Sequence, residues 1–219
     1  MTPGDPLVRW DWVLDHLGLI GQRLGEHIAF TVVAVAVGFA LSFGLALMIL
    51  RRPVLFGPVT GVAGILYTIP SLALFALLIP VTGLSFLTAE IALVSYTLLI
   101  LVRNVVAGVA GVPGEVRDAA TGMGYTAWQR LWRVELPVAL PVIIAGLRIA
   151  TITTIGLVTV TAFIGQGGLG RFILEGRERF FATPLVVGAT LSVALAFAAD
   201  AAFVLAERIL TPWRPRGSA

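Results

Sequence analysis

Apolar positions along the chain gather into five long runs, approximately His27 to Leu50, Leu55 to Pro80, Leu87 to Val106, Leu147 to Phe163 and Pro184 to Leu205. Each is near the roughly 20 residues that cross a bilayer as a helix. The pattern predicts an all-α membrane protein with about five transmembrane helices. In the first run, small residues recur every four positions on two lines, Ala36, Ala40 and Gly44 on one and Ala34, Gly38, Ser42 and Ala46 on the other. Such faces let helices approach closely. Pro70 interrupts the second run, and a kink or break is expected there, with the freed carbonyl taken by Ser71 or a neighbouring helix. Between the third and fourth runs the pattern changes to short, polar, helical spacing over residues 113 to 137.

Composition agrees with the bilayer as solvent: 58% of the 219 residues are hydrophobic and 12% charged. Cysteine is absent, which removes disulfides, thiol catalysis and cysteine metal sites. All fifteen basic residues are Arg, so a phosphate loop ending in Gly-Lys is impossible and the chain is not itself an ATPase. The net charge of +3 is small, with the arginines scattered in short loops, so no nucleic-acid partner is expected. With the N-terminus outside, nine arginines fall in cytoplasmic segments and five outside. That excess supports an outer N-terminus and a cytoplasmic C-terminus. Residues 1–25, with Trp10 and Trp12, suit an interfacial or extracytoplasmic segment. Residues 26–207 form one membrane domain, and 208–219 a disordered cytoplasmic tail.

The polar stretch has its own logic. Pro113 and Gly114 end the extension of the third run, after which Val116, Ala119 and Ala120 share one helical face, with Glu115, Arg117 and Asp118 on the other side. Gly122 and Gly124, around Met123, stop that helix and let the backbone turn. Thr126 and Gln129 have capping-box spacing for a second short helix with Trp128, Leu131 and Trp132 as its apolar stripe. Leu136 and Pro137, with Pro141, are expected to close the unit and redirect the chain into the fourth span. The alternative is an amphipathic hairpin resting on the membrane surface.

The framework Asp118-Ala119-Ala120, Gly124, Val134-x-Leu136-Pro137 resembles the cytoplasmic coupling loop of bacterial ABC importer permeases, whose pattern begins Glu-Ala-Ala and ends Ile-x-Leu-Pro. Asp118 and Val134 depart conservatively. Further passages resemble the osmoprotectant permeases of that class, those for glycine betaine, choline and carnitine: Ile69 to Pro80 with Thr82 and Gly83, Tyr96 to Asn104, Val134 to Pro141 with Gly146 to Arg148, and Thr161 to Gly170. Ile100 and Gln166 differ from the common pattern and bear on pore detail. The resemblance implies a plasma-membrane permease dimer, identical or paralogous, with two cytoplasmic ATPases that bind ATP and Mg, and an extracytoplasmic substrate-binding protein. It also implies that Glu115, Asp118, Ala119, Ala120, Gly122, Met123, Gly124, Leu136 and Pro137 couple the permease to the ATPase. This chain would hold no cofactor and catalyse nothing.

Other residues divide between functional and structural readings. Gly165-Gln-Gly-Gly-Leu-Gly170 has the form of a nucleotide-binding loop, but no strand precedes it; a turn at the outer mouth fits better, as a gate or as a plain loop. Tyr67, Phe75, Tyr96 and Phe163 could face a quaternary ammonium in transit along a path past Pro70, Ser71, Gly165, Gly167 and Gly168, although packing is the ordinary use of such rings. Arg148 and Asp200 are expected to snorkel or to pair. Glu90 is expected at an exposed rim, and His16 and His27 as ordinary interfacial histidines rather than a metal site. Rival readings are a permease for an amino acid, sulfonate or phosphonate, a membrane-embedded hydrolase, and a passive channel or scaffold. The hydrolase lacks a base within the spans, and the channel leaves the coupling loop unexplained.

Overall fold

A computed structural model describes residues 7 to 213, and all regular structure among them is helical. In order the helices are α1 (Trp10–Asp15), α2 (Leu17–Arg51), a 3-10 turn (Pro53–Leu55), α3 (Phe56–Thr68), α4 (Ser71–Thr82), α5 (Phe86–Ala110), α6 (Gly114–Gly122), α7 (Ala127–Arg130), a π turn (Leu131–Glu135), α8 (Leu136–Val158), a 3-10 turn (Thr159–Ile164), α9 (Gly170–Glu178) and α10 (Ala182–Leu210). Four stretches are long and apolar enough to cross a membrane: Leu17–Arg51, Phe86–Ala110, Ala127–Ile164 and Ala182–Leu210. A fifth is the pair Pro53–Thr68 and Ser71–Thr82, bent by 98°. The expected break thus falls at Ile69-Pro70. Pro70 has no N–H to continue α3 and instead caps α4, its carbonyl accepting from Leu74 N at 3.0 Å.

The helices differ from the apolar runs at their ends. α2 begins ten residues before His27, so its 35 residues extend about 52 Å and exceed the hydrocarbon thickness. The expected redirection at Pro137 and Pro141 does not occur, since Ala127–Ile164 runs on as one 38-residue helical stretch. Pro137 lies in the first turn of α8, directly after the π turn, whose wider winding makes room for the ring; Pro141 sits inside α8. Of the tail expected to be disordered from residue 208, the first three residues continue α10 to Leu210, and residues 214–219 lie outside the described residues.

α5 is the central helix and packs on α2, α8, α3 and α4. Close approaches set the register. A methyl on Gly38 of α2 would overlap Thr97 Oγ1 of α5, and one on Gly108 of α5 would lie 3.1 Å from the Ala139 carbonyl of α8. Phe30 and Phe86 pack with centroids 4.8 Å apart, so α2 and α5 run in the same direction. Of the two small-residue lines in α2, Ala34, Gly38, Ser42 and Ala46 are buried, whereas Ala36, Ala40 and Gly44 are exposed. Two apolar clusters follow: Phe30, Leu74, Phe75, Leu93 and Val158 toward one end, and Ala46, Val105, Val109 and Ile143 toward the other. α10 rests on α8 and α9 and leaves Val193, Phe197 and Leu205 exposed.

α1 packs at the α9 end, where Trp12 makes edge contacts with Phe172 and Phe181 at 5.9 Å. Arg9 N donates to Thr183 Oγ1 at 2.9 Å, tying α1 to the start of α10. The Arg9 guanidinium beside Asp11 holds that carboxyl below the usual carboxylate range.

Candidate functional site

The polar stretch folds as a helical hairpin across one end of the bundle. Pro113 stands at the N-cap of α6, and Met123 at its C-cap. Only Gly124 of the two expected turn glycines has a left-handed conformation, at φ 83°; Gly122 closes α6 in helical geometry. The chain reverses through Tyr125 N donating to the Ala120 carbonyl at 3.1 Å. Thr126 then starts α7 with the expected capping box: Gln129 N donates to Thr126 Oγ1 at 3.3 Å, and Thr126 N donates to Gln129 Oε1 at 2.9 Å. Two orphan amides are satisfied in this way.

The two alanines do not share a face. Ala120 is 1% exposed and Ala119 is open, because α6 meets the bundle only along the stripe from Val116 to Ala120. Glu115, Asp118, Ala119, Gly122, Met123 and Gly124 therefore form one exposed surface at the tip, while Leu136 and Pro137 are half-buried at its base. Trp132 packs on Phe43 of α2 with centroids 5.9 Å apart, and Arg51 lies over Trp128 at 5.8 Å. The hairpin is thus seated against α2.

What stiffens it is a network around Glu135, which is 7% exposed. Arg130 Nε donates to Glu135 Oε1 at 2.8 Å, and Arg117 Nε stands 3.5 Å from the same oxygen. Arg117 Nη2 also donates to the Val109 carbonyl at 2.6 Å, and Arg130 Nη1 to Thr121 Oγ1 at 3.0 Å. Five points on α5, α6, α7 and the π turn are joined through two guanidinium forks. The sequence signal was weak: an acid between Val134 and Leu136, with arginines 18 and 5 positions earlier, has no local periodicity.

At the opposite end lies the glycine-rich turn. Gly165 (φ 76°) and Gly168 (φ 88°) are left-handed, and Gly170 opens α9 so close to the chain that a methyl there would overlap Thr159. Two residues of α2 hold this turn. Glu26 Oε2 accepts from Gly168 N at 2.9 Å and from Arg23 Nη1 at 2.8 Å. His27, expected at an interface, is instead fully buried. Its Nδ1 faces Leu169 N at 3.3 Å and its Nε2 faces the Ile155 carbonyl at 3.0 Å. An amide on one side and a carbonyl on the other select the neutral tautomer with the proton on Nε2. His16 stacks on Trp12 at 4.3 Å and bonds the Trp12 carbonyl.

The aromatic candidates separate. Phe75 is fully buried in the core, and Tyr96 directs its hydroxyl to the Ile69 carbonyl. Tyr67 and Phe163 are exposed, Tyr67 meeting Tyr96 edge-on at 6.0 Å. Pro70 is exposed and Ser71 half-buried; Gly165 is exposed, Gly167 half-buried and Gly168 buried. Arg148 of α8 and Asp200 of α10 form a two-pronged ion pair, with Nη2 to Oδ2 at 2.8 Å. Glu90 is not at a rim: it is 6% exposed, packed between α5 and its neighbours, and neither carboxylate oxygen has a partner among the described residues.

Known proteins match this architecture. The chain is 39% identical over 208 residues to the osmoprotectant import permease protein OsmW of Salmonella typhimurium, covering 92% of this chain and 96% of that one. It is 35% identical over 195 residues to the glycine betaine/carnitine/choline transport system permease protein OpuCB of Bacillus subtilis, with 89% and 90% covered. The choline transport system permease protein OpuBB of the same organism is 37% identical over 187 residues, with 85% and 86% covered. Among solved structures, the methionine ABC transporter MetNI superposes with a TM-score of 0.81 at 24% identity over 90% of this chain and 98% of that chain. An amino acid ABC transporter gives 0.76 at 19% identity over 92% and 98%. These two establish the shared fold. Residues 29–211 match the family described as binding-protein-dependent transport system inner membrane component, and the chain belongs to that family.

Proposed function

We propose that the chain is the permease subunit of an ATP-driven importer for a trimethylammonium osmoprotectant such as glycine betaine, choline or carnitine. The observation that carries this reading is similarity over 85–92% of the chain to permeases named for those compounds, together with a stiff hairpin at one end of the bundle. In this reading ATP and Mg are bound by separate ATPase subunits, substrate arrives on an extracytoplasmic binding protein, and a second permease subunit completes the path.

The hairpin end is cytoplasmic, and the exposed tip from Glu115 to Gly124 seats in the ATPase. A push on the tip reaches α5 through Arg117 and Val109, and α8 through Glu135. Rigidity is what the role requires, since ATP must favour one of two helix packings for transport to occur. The turn at Gly165 to Gly170 is then at the outer mouth, where Glu26 and His27 hold it against α2 in one state and release it in another. Tyr67 and Phe163, being exposed, suit the path better than the buried Phe75.

The test is reconstitution of the permease with its ATPase and binding protein in liposomes, followed by uptake of labelled choline, carnitine and glycine betaine. ATP-dependent accumulation of at least one supports the reading; accumulation of none, with an amino acid, sulfonate or phosphonate taken up instead, overturns the substrate class.

A further inference from the structure

Glu90 is an acid that the fold itself leaves unused. It lies in the second turn of α5, its side chain is almost wholly enclosed, and both oxygens lack a hydrogen-bond partner among the described residues. An ionisable group buried within a membrane span is costly and is retained where it meets a partner. Asp200, an acid within α10, has such a partner in Arg148. Glu90 has none among the described residues.

Its surroundings indicate what that partner is. On α5, Glu90 shares a helical stripe with Phe86, four residues before it, and Thr97, seven after it. Both touch α2: Phe86 packs on Phe30, and Thr97 abuts Gly38. Glu90 therefore faces the α2–α5 seam between these two contacts. The seam is lined on α2 by Ala34 and Gly38, whose small size brings the two helices close together. Outward of Glu90 the aromatic pair is open on one side, Phe86 being 47% exposed. An aromatic face followed by a carboxylate that takes no hydrogen bond from the described residues suits a cation that makes no hydrogen bonds of its own. A quaternary ammonium is such a cation: it is attracted by ring faces and by charge without directional partners.

We infer that Glu90 is the intramembrane counter-charge for the trimethylammonium group during transit, and that it biases the permease toward substrates of net positive charge. The inference rests on the function proposed above. Glycine betaine and carnitine carry their own carboxylate, so Glu90 repels one end of each while attracting the other. Choline carries only the positive charge. Choline gains most from Glu90.

The test uses the complete reconstituted transporter, with saturating substrate and binding protein, so that maximal uptake reports the permease. E90Q preserves size and removes the charge; E90D retains it on a shorter arm. E90Q is expected to lower maximal choline uptake about tenfold and glycine betaine uptake less than threefold, with E90D between wild type and E90Q for choline. Equal losses for the two substrates, or no loss of choline uptake, overturn the inference. So does a wild type that imports glycine betaine but not choline, which leaves the proposed function standing. If choline alone is imported, a loss in E90Q that E90D does not relieve overturns it. A wild type importing no trimethylammonium compound removes the proposed function, and the assignment of Glu90 with it.

Discussion

The Tyr96 hydroxyl donates to the Ile69 carbonyl at 2.5 Å, so that the central helix α5 satisfies the backbone where the second span breaks. Inside a bilayer a broken helix survives only if another group takes up the carbonyl it exposes. Tyr96 is thereby a strut for the 98° bend between α3 and α4. Replacing it with phenylalanine leaves the ring packing and removes the donor. Y96F is expected to cost about 1 kcal/mol, the net worth of a hydrogen bond to the half-buried Ile69 carbonyl. A lower unfolding temperature of the purified complex checks this; an unchanged one rules out the strut.

Gly124 carries the only left-handed turn of the hairpin, at φ 83°, with open space around it. The constraint there is backbone conformation, not room for a side chain. A β-branched residue in that region is strained by a few kcal/mol. G124V is expected to insert in the membrane at wild-type level, while ATP-driven uptake falls to background. Normal uptake by this variant would sink the coupling role of the tip.

Glu135 receives Arg130 directly and stands beside Arg117, joining the hairpin to α5. E135Q keeps one acceptor but leaves two guanidinium groups facing a neutral side chain. The expected outcome is slippage: ATP hydrolysis continues while substrate moved per ATP falls at least about twofold. A preserved transport-to-hydrolysis ratio would mean that the network only stabilises the hairpin.

Glu26 holds the glycine-rich turn through Gly168 N, and Gly167 approaches so near that a methyl on it would overlap the Glu26 carboxylate. E26A removes the acceptor, and G167A displaces it by contact. Both are expected to speed amide hydrogen exchange at Gly168 and Leu169, with α8 and α10 unaffected, because the turn opens locally. Exchange as slow as in wild type would show that His27 alone holds the turn.

Much of this arrangement was legible in the chain. The break at Pro70 follows from a missing N–H, the start of α7 from Thr126 and Gln129, and the reversal at Gly124 from the residue type that accepts a positive φ. The Arg148–Asp200 pairing was among the expected outcomes, since two opposite charges set deep in spans have few alternatives. Each of these rests on local geometry or on the cost of a group with nowhere else to go.

Other features depended on which surfaces meet. The two small-residue lines of α2 are equivalent as sequence, yet only Ala34, Gly38, Ser42 and Ala46 are covered, since α5 lies on that side. Glu90 reads as a rim residue and His27 as an interfacial one because hydropathy measures the run and not the neighbour; packing buries both, giving His27 two backbone partners and Glu90 none among the described residues. Pro137 and Pro141 read as stops, but a π turn and the continuing apolar face of α8 carry the helix through. Sequence alone determined the solvent, the number of spans, the break and the hairpin, because these follow from transfer free energy and from short-range backbone chemistry. Tertiary structure decided the enclosed acid, the histidine latch and the Glu135 network, because each joins residues far apart in the chain through contacts that no local pattern records.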